Sequence, residues 1–93
     1  MNLYAIVVTS RFKSDLKRVS RQKRSIDKLE ILIDHIAARK PLPRKVRDHA
    51  LIGNYVGYRE CHIEPDWLLL YRVDDIKKIV ILVRTGSHAE LFG

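Results

Sequence analysis

The chain has few of the residues that would tie it to an oxidising compartment or a membrane. Cysteine occurs once among 93 residues, at Cys61. One thiol allows no intramolecular disulfide and no cysteine-based zinc site, and it fits a reducing compartment. Glycine occurs four times and proline three, with no Gly/Ser linker, internal repeat or low-complexity tract. No apolar run is long enough to cross a bilayer. The longest near the N-terminus, Leu3 to Val8, has no basic segment before it and is too short for the apolar core of a secretory signal. It reads as a buried strand, and the expected location is the cytoplasm, away from any membrane. A hydrophobic content of 46% excludes a largely disordered chain. The length suits one domain over residues 1–93, burying roughly 60–65% of its unfolded surface on folding.

The chain does have positive charge, and it is unevenly placed. The net charge is +7. Residues 1–47 hold 13 Lys/Arg against 4 Asp/Glu, and residues 48–93 hold 5 against 7. The excess forms two clusters, Arg11 to Arg24 and Arg39 to Arg47. A one-sided positive field suits a polyanion or an acidic protein partner, and it equally suits a solvated helix face.

Hydrophobic periodicity gives the element order. Leu3–Val8 is a strand, and Thr9 and Ser10 are natural caps for the helix that follows. Phe12, Leu16 and Val19 form its narrow apolar stripe. Ser25 opens a second helix marked by Ile26, Leu29, Leu32, Ile33 and Ile36, which Pro41 and Pro43 are expected to stop. The two helices form a hairpin. Tyr58–Ile63 and Trp67–Val73 flank the turn Glu64-Pro65-Asp66, and Lys78–Arg84 is a last, central strand with apolar residues on both faces. The expected fold is α+β, in the order β-α-α-β-β-β. A small, twisted, mainly antiparallel sheet carries the helical hairpin on one face, and its other face stays partly open.

Of the four histidines, His35 lies on the second helix and reads as a boundary residue. His49, His62 and His88 lie at strand ends or in loops, where a rigid sheet can hold a side chain and leave it wet. Asp66 and Trp67 share the turn with His62, and Arg84 precedes His88 by four positions. Such a set suits RNA cleavage. Histidines exchange protons near neutrality, a carboxylate can orient a histidine or take the proton itself, and an arginine fork can hold phosphate oxygens. Trp67 and Phe92 could stack on bases. Each residue also has a plainer reading: Trp67 as core, Phe92 as a docking anchor, Arg84 as an ion-pair partner. The three histidines with Asp66 are acceptable metal ligands in type, but they lack short ligand spacing, so no metal and no cofactor is expected.

Three segments resemble the YafQ-like branch of the RelE/ParE toxin superfamily. Arg47-Asp48-His49-Ala50-Leu51-Ile52-Gly53 is similar to that branch's DHxLxG pattern. Tyr58 to Trp67 is similar to YRxxHxxPDW, and Arg84 to Gly93 to RTGxHxxLFG. With the element order, the resemblance covers essentially the whole chain. It implies a RelE-like fold and a toxin of a type II toxin–antitoxin pair: a metal-independent endoribonuclease that enters the ribosomal A site and cuts the bound messenger RNA. On the matching positions it implies a catalytic set of His49, His62, Asp66 and His88. Arg84 would stabilise phosphate charge, and Phe92 would support the substrate. Within that set Asp66 is the expected base and His88 the expected acid. Trp67 matches the pattern, as base platform or packing residue. Lys13, Lys17, Arg21, Arg44, Lys45 and Arg47 would contact RNA, including that of the ribosome. A cognate antitoxin protein is the implied partner. A ParE-like toxin acting on DNA gyrase, a non-catalytic RNA-binding module and a metal-dependent hydrolase are the competing readings.

Overall fold

A computed structural model describes residues 3–93. Its elements are β1 (Ala5–Val8), α1 (Ser10–Arg21), α2 (Ile26–Ala37), β2 (His49–Ala50), β3 (Arg59–Glu64), β4 (Trp67–Asp74), β5 (Ile79–Gly86) and α3 (His88–Phe92). Short 3-10 turns at Arg44–Val46 and Gly53–Tyr55 flank β2. The sheet order is β1-β5-β4-β3-β2. β1 runs parallel to β5, and the other pairings are antiparallel. The expected α+β architecture is present with additions. β2 and α3 did not show in the hydrophobic pattern, and the last strand lies between β1 and β4, leaving β4 in the middle.

Local chemistry explains the boundaries. Thr9 caps α1, its hydroxyl accepting the Phe12 N–H at 3.0 Å. Contrary to the expectation from sequence, Pro41 and Pro43 do not stop α2, which ends at Ala37. The helix has already stopped, because Arg39 takes a left-handed conformation (φ 55°). The Arg39 and Lys40 N–H groups then bond back to the Ile36 and His35 carbonyls, a paired closure of the last turn that usually uses glycine. α3 opens on a reciprocal cap between Ser87 and Glu90.

The core lies between the helices and one face of the sheet. Phe12 and Val19 of α1 and Leu29, Leu32 and Ile36 of α2 pack with Cys61, Trp67, Leu69, Tyr71, Val80 and Leu82 of the strands. Burial pushes the Cys61 thiol up to about 12, so it is an inert packing group. Strand alternation sends Leu68 and Leu70 to the second face, where both are also buried. Glu60 and His62 of β3 share that second face, paired in register with Leu70 and Leu68. No helix among the described residues is long and apolar enough to cross a membrane.

Candidate active site

The second face of the sheet, where β3, β4 and β5 approach α3, gathers the histidines. His62 stands next to a bulge at Ile63 in the β3–β4 ladder, a device that re-aims side chains beside a turn. His88 begins α3, one residue beyond its Ser87 cap. The His62 and His88 rings lie 5.7 Å apart between centroids. His49, on the two-residue strand β2, pairs in register with Glu60.

Each ring is held through Nδ1. His49 Nδ1 lies 2.6 Å from the Arg47 carbonyl and His62 Nδ1 lies 3.2 Å from the Pro65 carbonyl. A carbonyl can only accept, so in both rings Nδ1 carries the proton and the neutral ring's lone pair is on Nε2. The left-handed turn at Arg47 (φ 50°) presents its carbonyl to His49. His88 Nδ1 donates to Asp66 at 2.9 Å, and the His88 backbone N–H donates to the same oxygen at 3.1 Å. These two hydrogen bonds, side-chain first, hold the exposed Asp66 carboxyl below the ordinary aspartate value. An ionised carboxylate already engaged by two donors is a weak proton acceptor and a good orienter.

Arg84 is held from the opposite side. Its Nε–H donates to Asp15 Oδ2 at 2.6 Å and a terminal N–H to Asp15 Oδ1 at 3.0 Å. Asp15, on α1, is 2% exposed and also accepts from Arg18 and the Thr85 N–H. Burial alone would raise its carboxyl, but the hydrogen bonds from Arg84, Arg18 and Thr85 outweigh that and hold it lowered. Arg18 continues the chain of contacts to the Thr85 carbonyl at 2.8 Å and to Glu90 of α3 at 3.0 Å. The arrangement needs Gly86. A Cβ there would lie 2.5 Å from an Arg18 nitrogen and 2.9 Å from a Glu90 oxygen, at a φ of 155°.

Trp67 is a correction to the expected RNA contacts. It is fully buried, its Nε1–H donates to Thr85 Oγ1 at 2.9 Å, and the Arg24 guanidinium lies 5.5 Å from its ring. It supports the end of β5 from below, with no face free for a base. Phe92 is 41% exposed and lies one helical turn from His88 on α3, so the two share a face. Its ring meets Tyr55 edge-on, 5.3 Å away, an exposed aromatic pair that the sequence reading did not include. Lys13, Lys17, Arg21, Arg44, Lys45 and Arg47 are all exposed. None of the six forms an ion pair among the described residues. Lys13, Lys17 and Arg21 recur at helical spacing along α1. Lys45 and Arg47 border a groove of about 700 Å³ between α2 and β3 that opens onto His62.

Besides Tyr55, two charged residues of the site, Asp15 and Glu60, went unread in the sequence. Glu60, His62 and His88 bring one ligand atom each within 4.8 Å of one another. Two imidazoles and a carboxylate at that separation fit a divalent transition ion. Spacing along the chain hid this set, because its members come from a strand and a distant helix.

The model of the family described as "Bacterial toxin of type II toxin-antitoxin system, YafQ" matches residues 4–93. The chain belongs to this family. It is 37% identical to the mRNA interferase toxin YafQ of Escherichia coli over 95% of each chain. Its fold superposes on YafQ in the E. coli DinJ-YafQ toxin-antitoxin complex with a TM-score of 0.89 and 36% identity, covering 98% of this chain and 99% of that one. A metal-bound toxin from Helicobacter pylori gives a TM-score of 0.92 and 36% identity, covering 97% of this chain and all of the other. Family and fold therefore agree with the resemblance read from the three segments.

Proposed function

We propose that this protein is a ribosome-dependent endoribonuclease toxin that cuts messenger RNA in the A site and so stops translation in the cytoplasm. The observation that carries the reading is the convergence of His49, His62 and His88 on one sheet face, each ring fixed at Nδ1. The E. coli relative is named an mRNA interferase, and family membership brings the same chemistry to this chain. A toxin that poisons gyrase by binding has no need of three oriented imidazoles.

The geometry supports the following route of cleavage. The ribose 2′-OH loses its proton to a neutral ring, and its oxygen attacks the adjacent phosphorus. The bond from phosphorus to the 5′-oxygen breaks, and that oxygen takes a proton. The products carry a 2′,3′-cyclic phosphate and a 5′-hydroxyl. His49 or His62 takes the first proton, since in both the lone pair is on Nε2. His88, entering the step protonated on both nitrogens, delivers the second from Nε2 and is left neutral with its Nδ1–H on Asp66. Asp66 holds His88 through Nδ1 and leaves its Nε2 for the leaving oxygen, so Asp66 is the orienting carboxylate rather than the base expected from sequence. Arg84 keeps terminal N–H groups beyond those bonded to Asp15, and these meet the phosphate charge that grows at the phosphorane. Phe92, with Tyr55, packs against a base of the single-stranded messenger. The six free cations give affinity for ribosomal RNA without reading sequence.

No step needs a metal. An ion held by Glu60, His62 and His88 would take up imidazole nitrogens that the acid–base route uses. The partner is a cognate antitoxin, by the pairing that the E. coli relative shows with DinJ. The test is a purified translating-ribosome assay with end-group analysis, run with and without EDTA. Cyclic-phosphate ends with undiminished activity in EDTA are expected. Activity that EDTA abolishes would sink the metal-free route.

A further inference from the structure

Glu60 is a buried carboxylate at the centre of the histidine set, and the cleavage route as described does not use it. It is 6% exposed. One oxygen, Oε1, lies 3.6 Å from His49 Nε2 and 3.7 Å from His62 Nε2. The same carboxyl shares the 4.8 Å cluster with His88. Its charge has no arginine or lysine within ion-pair distance among the described residues. A buried carboxylate normally has a cation or several donors around it. Among the described residues, its ion-pair partners are the two Nε2 atoms.

The Nδ1 anchors make this arrangement directional. His49 and His62 each commit Nδ1–H to a backbone carbonyl. The nitrogen that can gain a proton is therefore Nε2 in both, and both Nε2 atoms face the same Glu60 oxygen. At 3.6–3.7 Å neither distance is a closed hydrogen bond, so neither Nε2 is committed to the carboxylate. When either ring takes a proton, its new N–H has an anion next to it. The negative charge is in place before the reaction and needs no rearrangement during it.

We propose that Glu60 is a positioning residue for the cleavage reaction. A single fixed carboxylate oxygen holds the working nitrogens of His49 and His62 toward one point and stabilises whichever ring has just accepted the 2′-OH proton. The proposal rests on the ribonuclease reading above and adds a residue to it. It explains why a charged side chain occupies a buried position on a sheet face otherwise floored by Leu68 and Leu70. It also assigns the carboxylate no direct contact with RNA, as its burial requires.

The experiment compares the parent with Glu60→Gln and Glu60→Asp in two measurements. The first is single-turnover messenger cleavage on ribosomes as a function of toxin concentration. The second is the imidazole 15N spectrum at fixed pH, with His35 on α2 as an internal control. Glu60→Gln keeps the shape and removes the charge. We expect its maximal rate to fall about 10²- to 10³-fold, the cost typical of removing a preorganised group that stabilises developing charge. The half-saturating concentration should hold within about twofold, since no contact with the ribosome or the RNA is lost. The ring resonances of His49 and His62 should move while those of His35 stay. Glu60→Asp, which restores the charge, should recover part of the rate. A Gln variant at the parental rate overturns the proposal. So do Gln and Asp variants equally impaired with unmoved ring resonances, because that pattern belongs to packing alone. If Glu60→Gln does not fold, Glu60→Asp decides the question: resonances of both rings must shift, and unmoved rings overturn the assignment. A parent that cleaves no messenger contradicts the ribonuclease reading alone, and the ring spectra still report on Glu60.

Discussion

The two sides of the site are built by opposite means. On one side α1, the end of β5 and α3 are joined by a buried charge network, with Asp15 taking hydrogen bonds from Arg84, Arg18 and the Thr85 N–H. On the other, His88 and Asp66 meet with side chains 54% and 68% exposed. The first contact is centred on a buried carboxylate and is multiply bonded, so it contributes to folding as well as to placing Arg84. The second is wet, contributes little to stability, and leaves its ring open to substrate. The contrast is one of anchoring: Arg84, the proposed phosphate cation, is held by a buried carboxylate, and His88, the proposed acid, is held by an exposed one.

That contrast can be broken by crossing two carboxylate-to-amide changes. Asp15→Asn should destabilise the fold by about 3 kcal/mol, the low end for disrupting a buried ion pair because both arginines keep some solvent. Urea denaturation measures it, and cleavage should fall in the same variant as Arg84 loses its anchor. Asp66→Asn should leave the urea midpoint nearly unmoved, within about 0.5 kcal/mol for a surface change. Its cleavage rate should still fall about 10- to 100-fold. Equal effects of the two variants on stability would erase the distinction.

Acid sharpens the same point. The Asp15 carboxyl is held below its ordinary value of 3.8. The unfolded chain therefore binds the proton first, and the stability due to Asp15 is present above that value and lost as pH falls toward the lowered one. Acid titration of the melting temperature should show this loss in the parent and a flatter curve in Asp15→Asn. A parent curve that stays level below the ordinary aspartate value would contradict the buried network.

Gly86→Ala probes the joint between the two sides. The added Cβ would have to displace Arg18 and Glu90, at a cost of about 1–3 kcal/mol in a conformation that disfavours side chains. His88 should move with α3, so thermal melting and cleavage should both suffer. The smallest effect belongs to the outer charges. Replacing Lys13, Lys17 and Arg21 together with alanine should weaken ribosome binding and lower its salt dependence by up to about three phosphate contacts. Cleavage at saturating toxin should be unchanged. Binding titrations at several salt concentrations measure this, and an unaltered salt slope would remove α1 from the RNA surface.

Much of this was legible because it is local. The Phe12, Leu16, Val19 stripe specified the buried face of α1, and Thr9 specified its start. Turn chemistry at Pro65 placed His62 and Asp66 together. Asp15 was illegible because its partner Arg84 is 69 residues away, and no local pattern encodes such a pair. Glu60 carried a signal that was missed: it is two residues before His62 on a strand, so the two share a face. Ser87 and Glu90 also carried one, as a spaced pair that opens a helix. Trp67 was readable as core or as base platform, and only burial decides between them. β2 has two residues and no hydrophobic alternation to reveal it.

The most direct measurement is to induce the parent and its His88→Ala variant in cells and map the 5′ ends of cellular messages. The account predicts growth arrest with new in-frame ends for the parent. Both should be lost in the variant, whose rate should drop about 10²- to 10⁴-fold with the fold intact. Arrest that persists in the variant without new messenger ends would contradict the account and direct attention to a protein target.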